Sequence, residues 1–222
     1  MTWTSSLLLG FAVSAATIAA LAVANRRLPH RRIHRDLGTR PTGIRYYGHV
    51  SANLAASGAM VFAFCWFFES WLFHNDHTTP AIGVAQWGAA ITLYDLLDYA
   101  LHRWLFHGHG WLQRMHATHH VIRRPTAPDS LYLRPLETAL SLFLLIASCL
   151  TVGPISPPIF LAIFSTYTVL NINAHSGLNI PFFPFRALTY MAKKHDLHHS
   201  SMKRGNYASM TPVFDMLFGT HE

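Results

Sequence analysis

Sixteen histidines in 222 residues are what could do chemistry in this chain, and most of them fall into short clusters. Two clusters read HxxHH: His116-Ala-Thr-His119-His120 and His195-Asp-Leu-His198-His199. On a helix, positions i, i+3 and i+4 share a face, so each box projects three imidazoles in one direction. Neutral imidazole binds borderline first-row metals well, and two such boxes facing each other could hold a metal pair. A further pair, His102 and His107, is spaced by five. On a regular helix that spacing turns the second ring roughly 140° from the first. Both rings reach one cluster only if the helix ends or bulges between them, and Gly108 and Gly110 follow at once. His109 then reads as a loop residue. Asn171 and His175 stand at i and i+4 at the end of an apolar run, before Ser176-Gly177. Alone they would read as a helix C-terminus. Beside three boxes, His175 reads as a ligand, and Asn171 reads equally as a site residue or as part of the cap.

The elements that must position these residues are apolar runs. A bilayer core about 30 Å thick needs roughly 20 apolar residues as a helix. Runs at 5–24, 50–73, 81–106, 135–152 and 157–172 are candidates, the middle one overrunning a span and the last two joined by Gly153-Pro154-Ile155-Ser156-Pro157. The first run is followed by Arg26, Arg27, Arg31, Arg32 and Arg35, which favours a retained anchor whose C-terminal end is cytoplasmic. The stretch 74–80 carries no Lys or Arg, as an outside loop should, and 175–222 is polar, basic and expected to be cytoplasmic. The fold class expected is therefore all-α: a polytopic membrane bundle of about four or five spans, capped by a cytoplasmic helical histidine-box domain. Residues 1–80 would form N-terminal spans with a basic juxtamembrane loop, and 81–222 the histidine-box domain with the remaining spans. Every cluster then lies on one positively charged side of the membrane.

Net charge is +7 with histidine neutral. With spans present, that excess suits anionic headgroups or an acidic protein partner better than nucleic acid. Cys65 and Cys149 each sit inside an apolar run, which argues against a disulfide framework, a thiolate metal site or an iron–sulfur cluster. Asp98 lies one turn before His102 with Asp95 on the same face. Carboxylates there suggest partners for ligand N–H groups, and Asp98 is the carboxylate proposed to act in catalysis. Asp196 and Asp215 are weaker candidates.

The pattern resembles the fatty acid hydroxylase and sterol desaturase superfamily. The matching residues are Asp98-Tyr-Ala-Leu-His102-Arg103 with His107, His116-xx-His119-His120, Ala174-His175-Ser-Gly177, His195-xx-His198-His199, Asn206-Tyr207 and Asp215-xx-Phe218-Gly219-Thr220. The resemblance covers about residues 90 to 222. It implies a dimetal site that uses O2 and two electrons to oxidise an unactivated C–H bond of a lipid. The ligand set it implies is His102, His107, His116, His119, His120, His175, His195, His198 and His199. Relatives often carry a histidine where this chain has Asn171, which implies a weaker or water-bridged ligand there. The five-residue spacing of the first box resembles the fatty acid hydroxylase branch more than the sterol branch.

C–H oxidation calls for a redox metal, so two iron ions are expected, with zinc able to take their place during purification. No flavin, dinucleotide, haem-attachment or cysteine-cluster motif is present, so electrons would come from a separate ferredoxin-like or cytochrome donor and its reductase. Hydroxylation of a lipid or fatty acyl chain is the leading expectation, and desaturation of a lipid or sterol on the same site is the alternative. A metal transporter is the rival from another class, but it should carry ionisable residues in mid-span. A hydrolytic zinc enzyme would want a carboxylate inside the motif, as in HExxH. The expected location is a bacterial cell membrane, with the boxes on the cytoplasmic side.

Overall fold

The computed structural model describes residues 1–74 and 79–222, and it begins with a helix whose two ends are both written locally. The Thr2 hydroxyl accepts the Ser5 N–H at 3.2 Å, and helix α1 runs Trp3–Arg27, with Arg26 and Arg27 in its last turn. Helix α2 is Gly43–Phe67 and is followed by a single turn, α3, Glu69–Leu72. The expected run at 50–73 is thus not one rod: it starts earlier and breaks at Phe68. Most of the polar stretch expected as an outside loop, residues 75–78, lies outside the described residues.

Thr79 caps and Pro80 opens helix α4, Pro80–Ala100. It passes directly into a π-helical turn, Leu101–Phe106. A short α5, Trp111–His116, is followed by tight turns at His119–Val121 and Ala127–Leu131. Pro135 and Pro157 each occupy the first position of an apolar helix, α6 Pro135–Thr151 and α7 Pro157–Ala174. Gly153, at φ 89°, makes the turn between them. Helix α8, Arg186–His199, carries the third box, and α9 is Val213–Leu217. All elements named are helical, as expected.

Helix α1 packs along α7, α2 along α6, and α4 lies against both α6 and α7. Leu7, Val61, Tyr94, Leu145, Phe160 and Ile163 are among the buried residues of this core. At the crossing of α1 and α7 a Cβ on Gly10 would stand 2.4 Å from the Phe164 ring, so the missing side chain sets the approach. Among the described residues α1 and α2 are long and apolar enough to cross a bilayer, and α6 is a shorter apolar helix.

The basic segment after α1 is tied to the histidine-bearing end of the bundle. Asn25 Nδ2 donates to Ser176 O at 3.1 Å, Ile33 N to Gly177 O at 2.8 Å, and Asn179 N to Arg31 O at 2.6 Å. His34 Nε2 donates to Asp196 at 2.7 Å, within the third box. The arginine cluster and His175 therefore occupy the same end of the molecule.

Candidate metal centre

The nine histidines singled out in the sequence come together in two groups. His102, His107, His116, His120 and His198 form one, and His119, His175, His195 and His199 the other, with the ligand atoms of each group within 4.8 Å of one another. The groups adjoin: the His120 ring stacks on His199 with centroids 4.6 Å apart. Eight of the nine side chains are buried, and His107 is half-buried. His109 is exposed and belongs to neither group.

Each HxxHH box is divided rather than aimed one way. Its first and last histidines enter one group and the middle one enters the other. On a helix i+3 and i+4 stand roughly 100° apart, enough to address sites on either side. The second box is also not one helix, because α5 stops at His116 and a tight turn carries His119 and His120. The bulge demanded by the five-residue spacing of the first box is present. His107 N donates to His102 O at 2.9 Å in a π turn, which takes more residues per circuit and brings the two ring centroids to 5.0 Å.

Hydrogen bonds settle which nitrogen of each ring faces inward. A carbonyl can only accept, so an Nδ1 beside one must carry the proton. His102 donates in this way to Tyr207 O at 2.7 Å, His107 to Met202 O at 2.9 Å, and His198 to Gly205 O at 2.7 Å. His119 donates to Tyr132 O at 3.2 Å, His175 to Asn171 O at 2.8 Å, and His199 to Ile122 O at 2.9 Å. Their Nε2 atoms are therefore bare lone pairs, and these converge. His102 and His198 Nε2 stand 3.1 Å apart, and His175 and His119 Nε2 3.0 Å apart. Two lone pairs at that distance repel, since no proton lies between them. A cation placed among them turns the repulsion into coordination, so the residues fit a pair of metal ions. Burial and neighbouring imidazoles hold His102 and His198 far below the usual histidine range, and burial with His175 nearby pushes His119 down to about 3. Neutral rings are the ligating form.

The carboxylates serve other partners than the spacing suggests. Asp98 accepts from Ser209 Oγ at 2.6 Å and Ser141 Oγ at 3.4 Å, while His102 donates elsewhere. Asp95 accepts from the backbone N–H groups of Met210 and Thr211. Asp215 is buried, pairs with Lys194 Nζ at 2.6 Å and takes the N–H groups of Tyr207 and Ala208. It thereby shapes the loop whose Gly205 and Tyr207 carbonyls hold His198 and His102.

Sequence reasoning missed Glu137. Its Oε1 accepts His116 Nδ1 at 2.7 Å, both side chains buried, whereas its Oε2 has no partner among the described residues. The sequence signal was weak: Glu137 stands in the first turn of α6, where the helix dipole favours a carboxylate whether or not it has a partner.

The fatty acid hydroxylase family model matches residues 87–220, more than half of the chain. The chain belongs to the fatty acid hydroxylase family.

Similar proteins include methylsterol monooxygenase 1 of Rattus norvegicus, 32% identical over 139 residues, covering 60% of this chain and 45% of that protein. A very-long-chain aldehyde decarbonylase of Oryza sativa subsp. japonica is 35% identical over 134 residues, 58% of this chain and 48% of the relative. A methylsterol monooxygenase of Aspergillus fumigatus is 31% identical over 161 residues, covering 64% and 50%. The chain thus spans about half the length of the curated relatives it matches. No solved structure gives a significant match. All nine histidines and Glu137 lie inside the fatty acid hydroxylase match, whereas α1 and α2 precede it.

Those two helices complete a cavity. A space of about 540 Å³ opens beside the imidazoles, walled by Phe11 and Ile18 of α1, Leu54 and Val61 of α2, Leu142 of α6 and Phe164 of α7. His102, His116, His119, His175 and His195 reach it, as do Glu137 and Asn171.

Gly177 holds His175 in register with the rest. Its φ is 63°, and a Cβ there would stand 2.5 Å from Pro125 O. Gly177→Ala is expected to destabilise the protein by roughly 1–3 kcal/mol, read as a lower thermal midpoint in detergent. An unchanged midpoint would show that the segment can shift without cost.

Proposed function

We propose that this chain is a membrane-bound dimetal oxygenase that hydroxylates a C–H bond of a lipid. The observation that carries the reading is the convergence of imidazole lone pairs in two adjoining groups beside a mainly apolar cavity. The nine histidines are the proposed ligands, and two iron ions the proposed occupants. When bound, they supply O2 activation, which a lipid C–H bond requires.

The protein's own residues do the rest. Backbone carbonyls fix six of the nine rings, and Glu137 fixes His116, before any ion arrives, so little reorganisation is needed on loading. The cavity walls exclude water and align an acyl or sterol skeleton beside the centre. Three members of the four-imidazole group line the cavity against two of the other, and Asn171 lies beside them. We therefore assign the position facing the substrate to the four-imidazole group, where one donor fewer is present. Electrons come from a separate ferredoxin-like or cytochrome donor, and an acidic one would suit the exposed basic residues around the boxes, such as Lys203 and Arg204. In this reading α1 and α2 cross the bilayer and the boxes face the cytoplasm.

The test is metal analysis of the purified chain together with mass spectrometry of host lipids on expression. Two ions per chain and a lipid heavier by one oxygen atom are expected. A lipid lighter by a pair of hydrogens would make the outcome desaturation. Less than one ion per chain, with no altered lipid, would sink the oxygenase.

Gly58 of α2 lines the cavity, where a Cβ would meet only the tip of Phe11 at 4.0 Å. Gly58→Trp is expected to fill the space, cutting lipid turnover at least about tenfold while metal content stays at the parent level. Unaltered turnover would place the substrate elsewhere.

A further inference from the structure

The segment between α7 and α8 breaks the polar character of the C-terminal region. Pro181-Phe182-Phe183-Pro184-Phe185 turns three aromatic rings outward: Phe183 is 93% exposed, Phe182 52% and Phe185 44%. Three large apolar side chains on one short loop form a contiguous patch of the kind that marks an interaction site in a soluble setting. The rings are organised among themselves, Phe182 and Phe185 meeting edge to face at 6.3 Å.

The position of this loop relative to the bundle says what covers it. Helix α1 ends in Arg26 and Arg27, the point at which a spanning helix leaves the hydrocarbon. The next residues are clamped to the segment that leads into the aromatic loop, through Arg32 opposite Leu178, Ile33 N to Gly177 O and Asn179 N to Arg31 O. The Arg31 guanidinium then lies over the Phe182 ring, 5.6 Å from its centroid. The loop is therefore held at the level where α1 emerges, with Arg31 against it and Arg186 directly after it. Aromatic rings flanked by arginine are the composition of a segment lying in the headgroup zone, rings toward the acyl chains and cations toward lipid phosphate.

We propose that Phe182, Phe183 and Phe185 form a wedge inserted into the interface of the bilayer that α1 crosses, on the arginine side, among anionic headgroups. The proposal rests on the reading of α1 as a span. Because α8 follows the loop immediately and carries His195, His198 and His199, the wedge would set the height of the third box above the membrane.

Single-cysteine labelling of the full chain in nanodiscs containing phosphatidylglycerol tests this, since native Cys65 and Cys149 are buried. An environment-sensitive fluorophore is placed at Phe183→Cys, at Val13→Cys on the exposed side of α1, and at Lys203→Cys, which is exposed on the loop after α8. Lipids with a quencher high on the acyl chain are expected to quench position 183, lipids with one near the chain end to quench position 13, and neither to dim 203. Emission at 183 should also be blue-shifted relative to 203. Quenching at 13 but water-like emission at 183 would overturn the wedge and leave the span intact. A blue-shifted label at 183 that lipid quenchers do not reach would show a protein covering the loop, a second copy or a partner, and would also overturn it. No quenching at 13 would remove the span and the wedge together.

Discussion

Replacing His198 by alanine is expected to weaken ion binding in the five-imidazole group, which keeps four rings, and to abolish lipid oxidation. His198 is fully buried, its Nδ1 is committed to Gly205 O, and its Nε2 stands 3.1 Å from that of His102. Its neighbours His102 and His107 are held by carbonyl partners of their own, Tyr207 O and Met202 O. His119→Ala is expected to do the same to the other group, where only four rings converge. His109→Ala is the control: its ring is exposed and outside both groups, so metal content and turnover should match the parent. Metal analysis and product formation on the same preparations read the result, with thermal unfolding to separate loss of an ion from loss of fold. Equal loss in all three variants would mean that ligand and bystander have been wrongly divided.

Glu137 is expected to have the next largest effect, and through a different route. Among the described residues it is the one carboxylate hydrogen-bonded to a ring N–H of either group, and His116, which it holds at 2.7 Å, contributes Nε2 to contacts with His102, His107 and His120. A carboxyl acceptor on Nδ1 keeps the proton on that nitrogen, leaves Nε2 facing the cation site and stops the ring from turning. Glu137→Leu is therefore expected to weaken metal binding in the five-imidazole group by about 10–100-fold, with the other group retained. Glu137→Gln keeps an acceptor oxygen and should fall between. Competition against a chromophoric chelator measures this without reference to turnover. Parent affinity in the leucine variant would show that packing alone orients His116.

The helices and histidines were legible in the sequence because both are written in residue type. Apolar runs announced α1, α6 and α7, and prolines marked where α6 and α7 begin. Spacing marked His116, His119, His120 and their counterparts in the third box as a set, and the gap of five at His102 and His107 required a distortion that the π turn supplies. What stayed hidden depends on the path of the chain in space. The partition of each box between two groups follows from which helix faces which, and α5 ending at His116 has no strong local signature. The acceptors that orient six of the rings are backbone carbonyls of Tyr207, Met202, Gly205, Ile122, Tyr132 and Asn171, and a carbonyl carries no mark of residue identity. Asp98 drew attention by its nearness to His102 in sequence, but its carboxylate is taken by Ser209, which is distant in sequence. Glu137 was overlooked because it precedes no histidine at helical spacing.

The π turn at Leu101–Phe106 also bears on how this fold can change length. It accommodates a surplus residue between His102 and His107 without moving either end of the helix out of reach of the centre. Removing one residue from that stretch would let the turn relax to ordinary α geometry, in which a separation of four again places both rings on one side. A deletion inside the most sensitive part of the molecule would thus be absorbed as a change of winding, leaving the imidazoles where they are. The first box can therefore drift by one residue between sequences while presenting the same pair of rings.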